Sequence, residues 1–259
     1  MIDVSERDRE AFHSVSSSKV VDARVKDSKS SLSIGKTFLY MFMYLVITAA
    51  VAFGVGALMY YLVGVKGQEE ALQSYMALLI VSAILMFIDM IVINVVVIRG
   101  KHSMVIPGIV YAVLMGALFS VIALVIDWKL IGLALAVTSL AYLLMAGIAF
   151  ISKGNMKPLM IAIIGLGAGV GLIVLFNWIF ILITGMVFTA LYWLVTIGIF
   201  VLIMLVTIID LWRMKQIADS GQMSNNMSLY FAFIMYTDFI NIFIRVLYFL
   251  IIIYARAKK

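Results

Sequence analysis

The chain has 259 residues, of which 65% are hydrophobic and only 12% charged, with a mean hydropathy of +1.18 and a formal net charge of +6. Soluble domains are only about half apolar, so the composition excludes a soluble fold of this length. The lack of cysteine excludes a disulfide framework or a thiolate site. The positive charges flank apolar runs rather than forming one basic face, so nucleic acid is not expected as a partner.

Residues 1–36 form a polar segment that differs from the rest of the chain. It carries seven Lys or Arg and six Asp or Glu residues, together with two clusters of serine. Such a segment buries too little apolar surface to fold alone, so we predict a mostly disordered cytoplasmic tail, which leaves open a short surface helix before the first span. It is not a signal peptide, because the polar stretch is too long and the apolar run after it has full spanning length.

Seven apolar runs follow, each near the ~20 residues that an α-helix needs to cross a bilayer. They are residues 37–63, 75–98, 104–126, 130–151, 158–176, 184–209 and 229–253. Barrel strands would alternate in polarity, and these runs do not. We therefore predict an all-α membrane protein with seven transmembrane helices in a domain at 37–253 and a basic tail at 254–259.

Two details of the fifth run carry predictions of their own. Its end is placed at Asn177-Trp178, although no charge marks that boundary. Glycines alternate along the run and include two GxxxG spacings, which predict close packing against a neighbouring helix: Gly165, Gly167, Gly169 and Gly171.

The distribution of Lys and Arg predicts the orientation. If all seven runs cross, 13 of these residues lie on the side of the N-terminus and five on the other, which places the N-terminus in the cytoplasm. We expect a multi-pass protein, in the plasma membrane of a bacterial-type cell rather than an endomembrane. The side with fewer Lys and Arg residues holds Arg256, Lys258 and Lys259. This cluster leaves open the alternative that the last run is re-entrant and does not cross the membrane.

Two aspartates lie where a lipid-embedded chain disfavours charge. Asp210 closes the sixth run and Asp238 lies inside the seventh. A charge near the bilayer centre costs a few kcal/mol or more, so such a residue is a functional-site hypothesis by default. Asp238, Asn241 and Arg245 also share one helix face, by their spacing. This face marks a bundle-facing surface or a water-filled path, or else a pair of charges that only staples the bundle.

The same residues carry a resemblance to a known family. The run Tyr236 to Phe243, Tyr-Thr-Asp-Phe-Ile-Asn-Ile-Phe, resembles the C-terminal signature of the Bax inhibitor-1 (TMBIM) family, a Leu-Asp-Phe-Ile-Asn-Leu-Phe type of motif. Ile209-Asp210-Leu211 with Gln216-Ile217 resembles the family's Tyr-Asp-x-x-x-Ile segment at the end of the sixth span. Gly35 to Met41, leading to Ile47-Thr48-Ala49-Ala50, is similar to its entry helix.

The resemblance implies a fold and a mechanism. It implies six helices wrapped around a central C-terminal seventh, and a pH-sensitive calcium leak gated by an aspartate pair that shares a pH-dependent hydrogen bond. By motif, that pair is Asp210 and Asp238. Two carboxylates in a poorly solvated site cannot easily both ionise, so they titrate as a unit. Ionised, they could act as transient Ca²⁺ ligands. Calcium is then the permeant ion, and no cofactor is expected.

This chain departs from the family pattern in two places. Family members often carry an arginine within the second helix that latches onto the aspartates, whereas here that run contains Asp89 and no arginine until Arg99. The seventh run instead contains Arg245, at a position that the family does not usually make basic. Our hypothesis is that the latch has moved, so that Arg245 pairs with Asp89 or with the aspartate pair, in a supporting network that includes Asn241.

Two other functions fit the same residues. The protein could be a membrane interaction protein that regulates a membrane protease or another partner without conduction, or a secondary transporter that uses Asp89 and Asp238 for proton coupling. We do not expect an enzyme, because the sequence has no Ser/His/Asp set and no zinc motif. The expected partners are the lipid bilayer, calcium ions and other membrane proteins.

Overall fold

The computed structural model describes residues 4–99, 103–152, 154, 156–185 and 189–257, with the backbone alone for residues 4–28, 66, 96–99, 189 and 257. Seven helices make up the fold in these ranges: α1 Val4–Lys66, α2 Gln68–Arg99, α3 Val105–Val125, α4 Trp128–Ile151, α5 Lys157–Thr184, α6 Thr189–Asp219 and α7 Asn225–Ala257. Each contains a segment long and apolar enough to cross a membrane. The predicted class, an all-α multi-pass membrane protein, is confirmed.

The predicted boundary between the fifth and sixth runs is wrong. Asn177 lies inside α5, which continues to Thr184. The helix ends at Gly185, which has a φ of +67° in the left-handed region. Glycine adopts this conformation without the steric penalty of a Cβ atom, which makes it the usual residue after a helix end. A single asparagine does not break a helix that lipid forces to satisfy its own backbone.

Helix α1 begins far before its membrane span. Residues 4–36 are helical where the sequence analysis predicts a disordered tail, and they contain no proline, and no glycine before Gly35, that would end a helix. Ser30 of α1 already contacts the bundle: it is buried and donates a hydrogen bond to Asp219.

At the other end of the chain α7 runs on through Ala257, and Lys258 and Lys259 lie outside the described residues. The division of the chain into domains stays a prediction.

Helix α7 is the most buried of the seven spans. It packs mainly against α1, α4 and α6, with a smaller contact to α3, while α2 packs on α1 and α3, and α5 packs on α6. The central position implied for the C-terminal helix is therefore observed, with α2 and α5 as outer helices. Its 33 residues form one unbroken helix of about 50 Å. A re-entrant segment would need an internal break, so the crossing alternative is the one that the structure supports.

Close packing at glycine occurs on α3 and α6 rather than on α5. A Cβ atom on Gly116 would approach the Thr48 carbonyl oxygen and Val51 Cβ to 2.7 Å, and one on Gly198 would approach Val170 to 2.8 Å. A Cβ atom added to any of the predicted packing glycines on α5 would have no neighbour closer than 4.0 Å. The predicted close packing of these glycines against another helix of the chain is therefore wrong. Small residues permit close approach, but the spacing alone does not say which face of a helix meets a neighbour.

Candidate functional site

Helices α6 and α7 bring the two predicted aspartates together. Asp210 precedes the end of α6 at Asp219 by nine residues, and Asp238 follows the start of α7 at Asn225 by 13. The two helices are connected by a short turn, so both side chains lie about 14 to 20 Å from the same end of the bundle. Asp210 is near enough to Asp238 for their charges to interact. The two aspartates that the motifs single out therefore lie near each other in the bundle.

The two carboxyl groups have different surroundings. Asp210 lies 3.5 Å from Arg213, one turn along α6, and its side chain is 15% exposed while that of Arg213 is 52% exposed. The Oδ2 atom of Asp238 is buried and has no hydrogen-bond partner. Within the described part of the chain no hydrogen bond joins the two carboxyl groups, so the shared bond that the resemblance implies is not formed in this structure.

Two further residues at the pair were missed by the sequence analysis. Thr207 is fully buried on α6 beside Asp238, and its hydroxyl donates to the Ile203 carbonyl at 2.9 Å. Tyr142 on α4 lies near both aspartates, and its buried hydroxyl has no hydrogen-bond partner. Thr207 could have been found, because it lies three residues before Asp210 on the same face. Tyr142 lies in a leucine and alanine run that gives no signal.

The other predicted members of the network lie apart from the pair. Asp89 is buried beside Tyr111, between α2 and α3, and its Oδ2 atom has no partner. Arg245 instead lies near Tyr248. Asn241 has an exposed side chain. The structure therefore does not join these three residues to the pair, and their functional role stays a prediction.

The expected latch at Arg245 is not formed in this structure: among the described residues no ion pair joins Arg245 to Asp89 or to the aspartate pair. Arg245 lies seven residues beyond Asp238, which is about 10 Å along the helix axis, so a shared face does not mean a shared depth. The main neighbours of α2 are α1 and α3, not α7. Asp89 and Arg245 thus belong to different parts of the bundle.

A cluster of hydroxyl groups lies on another side of α7. Tyr236 is fully buried, and its hydroxyl is 2.6 Å from that of Thr48 on α1. The rings of Tyr44 and Tyr111 meet that of Tyr236 edge to face, with centroids 5.8 and 6.2 Å away. Residues two apart on a helix point about 200° apart, so this cluster and Asp238 lie on opposite sides of α7. It fixes α1 and α3 to the central helix.

The fold and the site together define a multi-pass membrane protein with a pair of carboxyl groups inside its helical bundle. Residues 31–254 match the family model described as inhibitor of apoptosis-promoting Bax1. This match spans most of the chain, so the chain belongs to the Bax inhibitor-1 family, as the resemblance predicts. No curated protein and no solved structure matches it.

Proposed function

We propose that the protein is a pH-sensitive calcium leak channel, gated by protonation of the Asp210 and Asp238 pair. The observation that supports it is the meeting of two carboxyl groups from adjacent helices at membrane depth, with Asp238 Oδ2 unpaired. An ionisable residue in such a place is a functional-site hypothesis by default. A buried polar atom without a partner calls for an explanation, and a proton or a cation at the pair supplies one.

Protonation of the pair would change both charge and hydrogen bonding between α6 and α7. Two carboxylates that interact strongly titrate as a unit. The Thr207 hydroxyl lies beside Asp238, and a hydroxyl can donate to an ionised carboxylate or accept from a protonated carboxyl group. Fully ionised, the pair presents hard oxygen ligands of the kind that Ca²⁺ prefers. Calcium acts here as the permeant ion, with no resident cofactor and no enzymatic activity.

The test is calcium flux into proteoliposomes across a series of pH values. Wild type should conduct above protein-free liposomes with a rate that depends on pH. Asp210→Asn and Asp238→Asn keep the side-chain shape but cannot ionise, so each should abolish that dependence. Asp89→Asn is the matched control, because it removes a buried carboxylate at the α2–α3 interface, away from the pair.

The outcomes separate the alternative functions. Flux at background at every pH would favour a membrane interaction protein without conduction. A pH profile that survives Asp210→Asn but is lost in both Asp89→Asn and Asp238→Asn would favour a proton-coupled transporter. That alternative has little support at present, since Asp89 lies beside Tyr111 on α3 and not beside Asp238.

We also propose that the N-terminus lies in the cytoplasm and that the protein spans the plasma membrane of a bacterial-type cell. The excess of Lys and Arg on the N-terminal side, 13 against five, supports this orientation by the positive-inside rule. An epitope tag at the N-terminus should then bind antibody only after the cells are permeabilised. Binding to intact cells would reverse the orientation.

A further inference from the structure

Helices α1 and α4 touch near one end of the bundle and enclose a cavity beyond that contact. The rings of Phe38 and Phe150 meet edge to face, with centroids 6.4 Å apart. Further along, α1 and α4 line a cavity of about 620 Å³, which Phe119 and neighbouring α3 residues also line. Residues of α7 line it too, among them Phe239 and Phe243. We call this cavity the α1–α4 cleft.

The lining of the cleft selects an apolar occupant. Sixteen of its 18 side chains are hydrophobic, and the other two are Thr48 and Ser139. The Thr48 hydroxyl is already engaged with Tyr236 and with backbone carbonyls. Ligand sites commonly measure about 300–1,000 Å³ and are lined mainly by apolar groups. The α1–α4 cleft has that size and that lining, without the charged group that would hold a polar ligand.

The cleft is continuous with the lipid-facing surface of the bundle. The side chains of Phe42 and Phe53 on α1 and of Leu135 on α4 line it, yet they are 63%, 60% and 49% exposed. All three lie inside the spans, so the surface that they join is the one that hydrocarbon covers. Atoms that line an empty void lose their dispersion contacts on that side. A chain of the surrounding hydrocarbon that entered the cleft would restore those contacts.

The size of the cleft decides between a lipid and a second copy of the protein. An α-helix about 10 Å across and rising 1.5 Å per residue fills 620 Å³ with roughly five residues. A helix of a neighbouring molecule therefore does not fit as a spanning element, whereas a flexible single hydrocarbon chain does. We propose that the α1–α4 cleft is a binding site for one acyl chain of a membrane lipid, which rests on α7 between α1 and α4.

The α7 residues that line the cleft form its floor, and labelling of this floor distinguishes a lipid chain inside the cleft from the surrounding lipid. Phe239, Ile240 and Phe243 line the cleft but are buried in the bundle. In proteoliposomes with a phosphatidylcholine that carries a photoactivatable diazirine on its acyl chain, surrounding lipid should label the outward-facing side chains. Only a chain inside the cleft should label the three floor residues. Peptide mapping by mass spectrometry after irradiation measures both sets.

Two neighbouring alanines on α1 give a matched pair of variants. Ala49 lines the cleft and Ala50 does not, and both are exposed residues in the same span. Ala49→Trp should place a bulky ring in the cleft and reduce floor labelling. Ala50→Trp adds the same side chain on the lipid-facing surface and should leave floor labelling unchanged. Circular dichroism and gel filtration of both variants check that they fold as the wild type does.

The wild-type protein alone can overturn the proposal. Absence of label on Phe239, Ile240 and Phe243, in a sample whose outward-facing residues are labelled, would show that no acyl chain enters. Floor labelling that is equal in Ala49→Trp and Ala50→Trp would place the chain elsewhere. Labelling does not depend on calcium flux, so this result and that of the leak assay are independent.

Discussion

The hydroxyl of Ser30 donates a hydrogen bond of 2.7 Å to Asp219, although 189 residues separate them in the chain. The contact joins α1, before its apolar run begins, to the last residue of α6, the helix that carries Asp210. Ser30 is buried there, in a segment whose composition alone indicates a solvated tail. The end of the tail thus takes part in holding the bundle together.

The bond between Ser30 and Asp219 predicts non-additive stability changes. Ser30→Ala and Asp219→Ala should each lower the free energy of unfolding by about 1 kcal/mol, the net value of a typical hydrogen bond. Because both remove the same bond, the double variant should lose little more than either single one. Thermal unfolding in detergent measures the three variants.

The control for this cycle is Ser33→Ala. Ser33 accepts a bond from Thr37 through its backbone carbonyl, which the substitution leaves in place. Its effect should stay within about 0.5 kcal/mol. Additive losses in the double variant would show that Ser30 and Asp219 stabilise the fold separately.

The contact of Thr48 with Tyr236 predicts that removing the hydroxyl of one partner costs more stability than removing that of the other. The Thr48 hydroxyl is within bonding distance of the Tyr44 and Ala112 carbonyls, so its one hydrogen serves a carbonyl and Tyr236 donates to it. Thr48→Val leaves the buried Tyr236 hydroxyl unpaired and should cost about 1–3 kcal/mol. Tyr236→Phe leaves Thr48 its carbonyl partners and should cost about 1 kcal/mol or less. Equal losses, measured by thermal unfolding, would contradict this donor assignment.

The approach of α3 to α1 predicts that Gly116 tolerates no larger residue. A Cβ atom there would come within 2.7 Å of a backbone oxygen, Thr48 O, and of Val51 Cβ. Neither atom can swing away as the end of a long side chain could, so Gly116→Ala should force the helices apart at a cost of about 1–3 kcal/mol. Gly165→Ala on α5 is the control, because its Cβ would meet nothing within 4 Å. A similar unfolding midpoint for both variants would rule out a tight α1–α3 contact at Gly116.

The class of fold was predictable because lipid leaves few choices. A long apolar run must satisfy its own backbone groups, so length and hydropathy indicate the helices. Asp210 and Asp238 were predictable for the same reason, since charge is costly at that depth. The end of α5 was not found at Gly185, although its glycine was the available signal, because the polar Asn177 looked like a break.

Contacts between helices were less predictable than the helices themselves. The spacing of Asp238 and Arg245 gives a common direction around α7, but depth and neighbours depend on how whole helices pack. That is why the expected pair of Arg245 and Asp89 is not formed. Tyr142 reaches the aspartates from α4 only because that helix packs against both α6 and α7, which no local pattern records.

Tyr142 offers a prediction that separates function from stability. Its buried hydroxyl has no hydrogen-bond partner, so Tyr142→Phe removes an unsatisfied group and should not lower the unfolding temperature. The same hydroxyl lies near Asp210 and Asp238. The dipole of a neutral hydroxyl acts on nearby charges in a poorly solvated site, so its loss should displace the midpoint of the pH profile of calcium flux. Tyr44→Phe is the matched control, because it deletes another buried hydroxyl without a partner, away from the pair. It should leave the profile in place, and equal profiles for wild type and Tyr142→Phe would remove Tyr142 from the gating site.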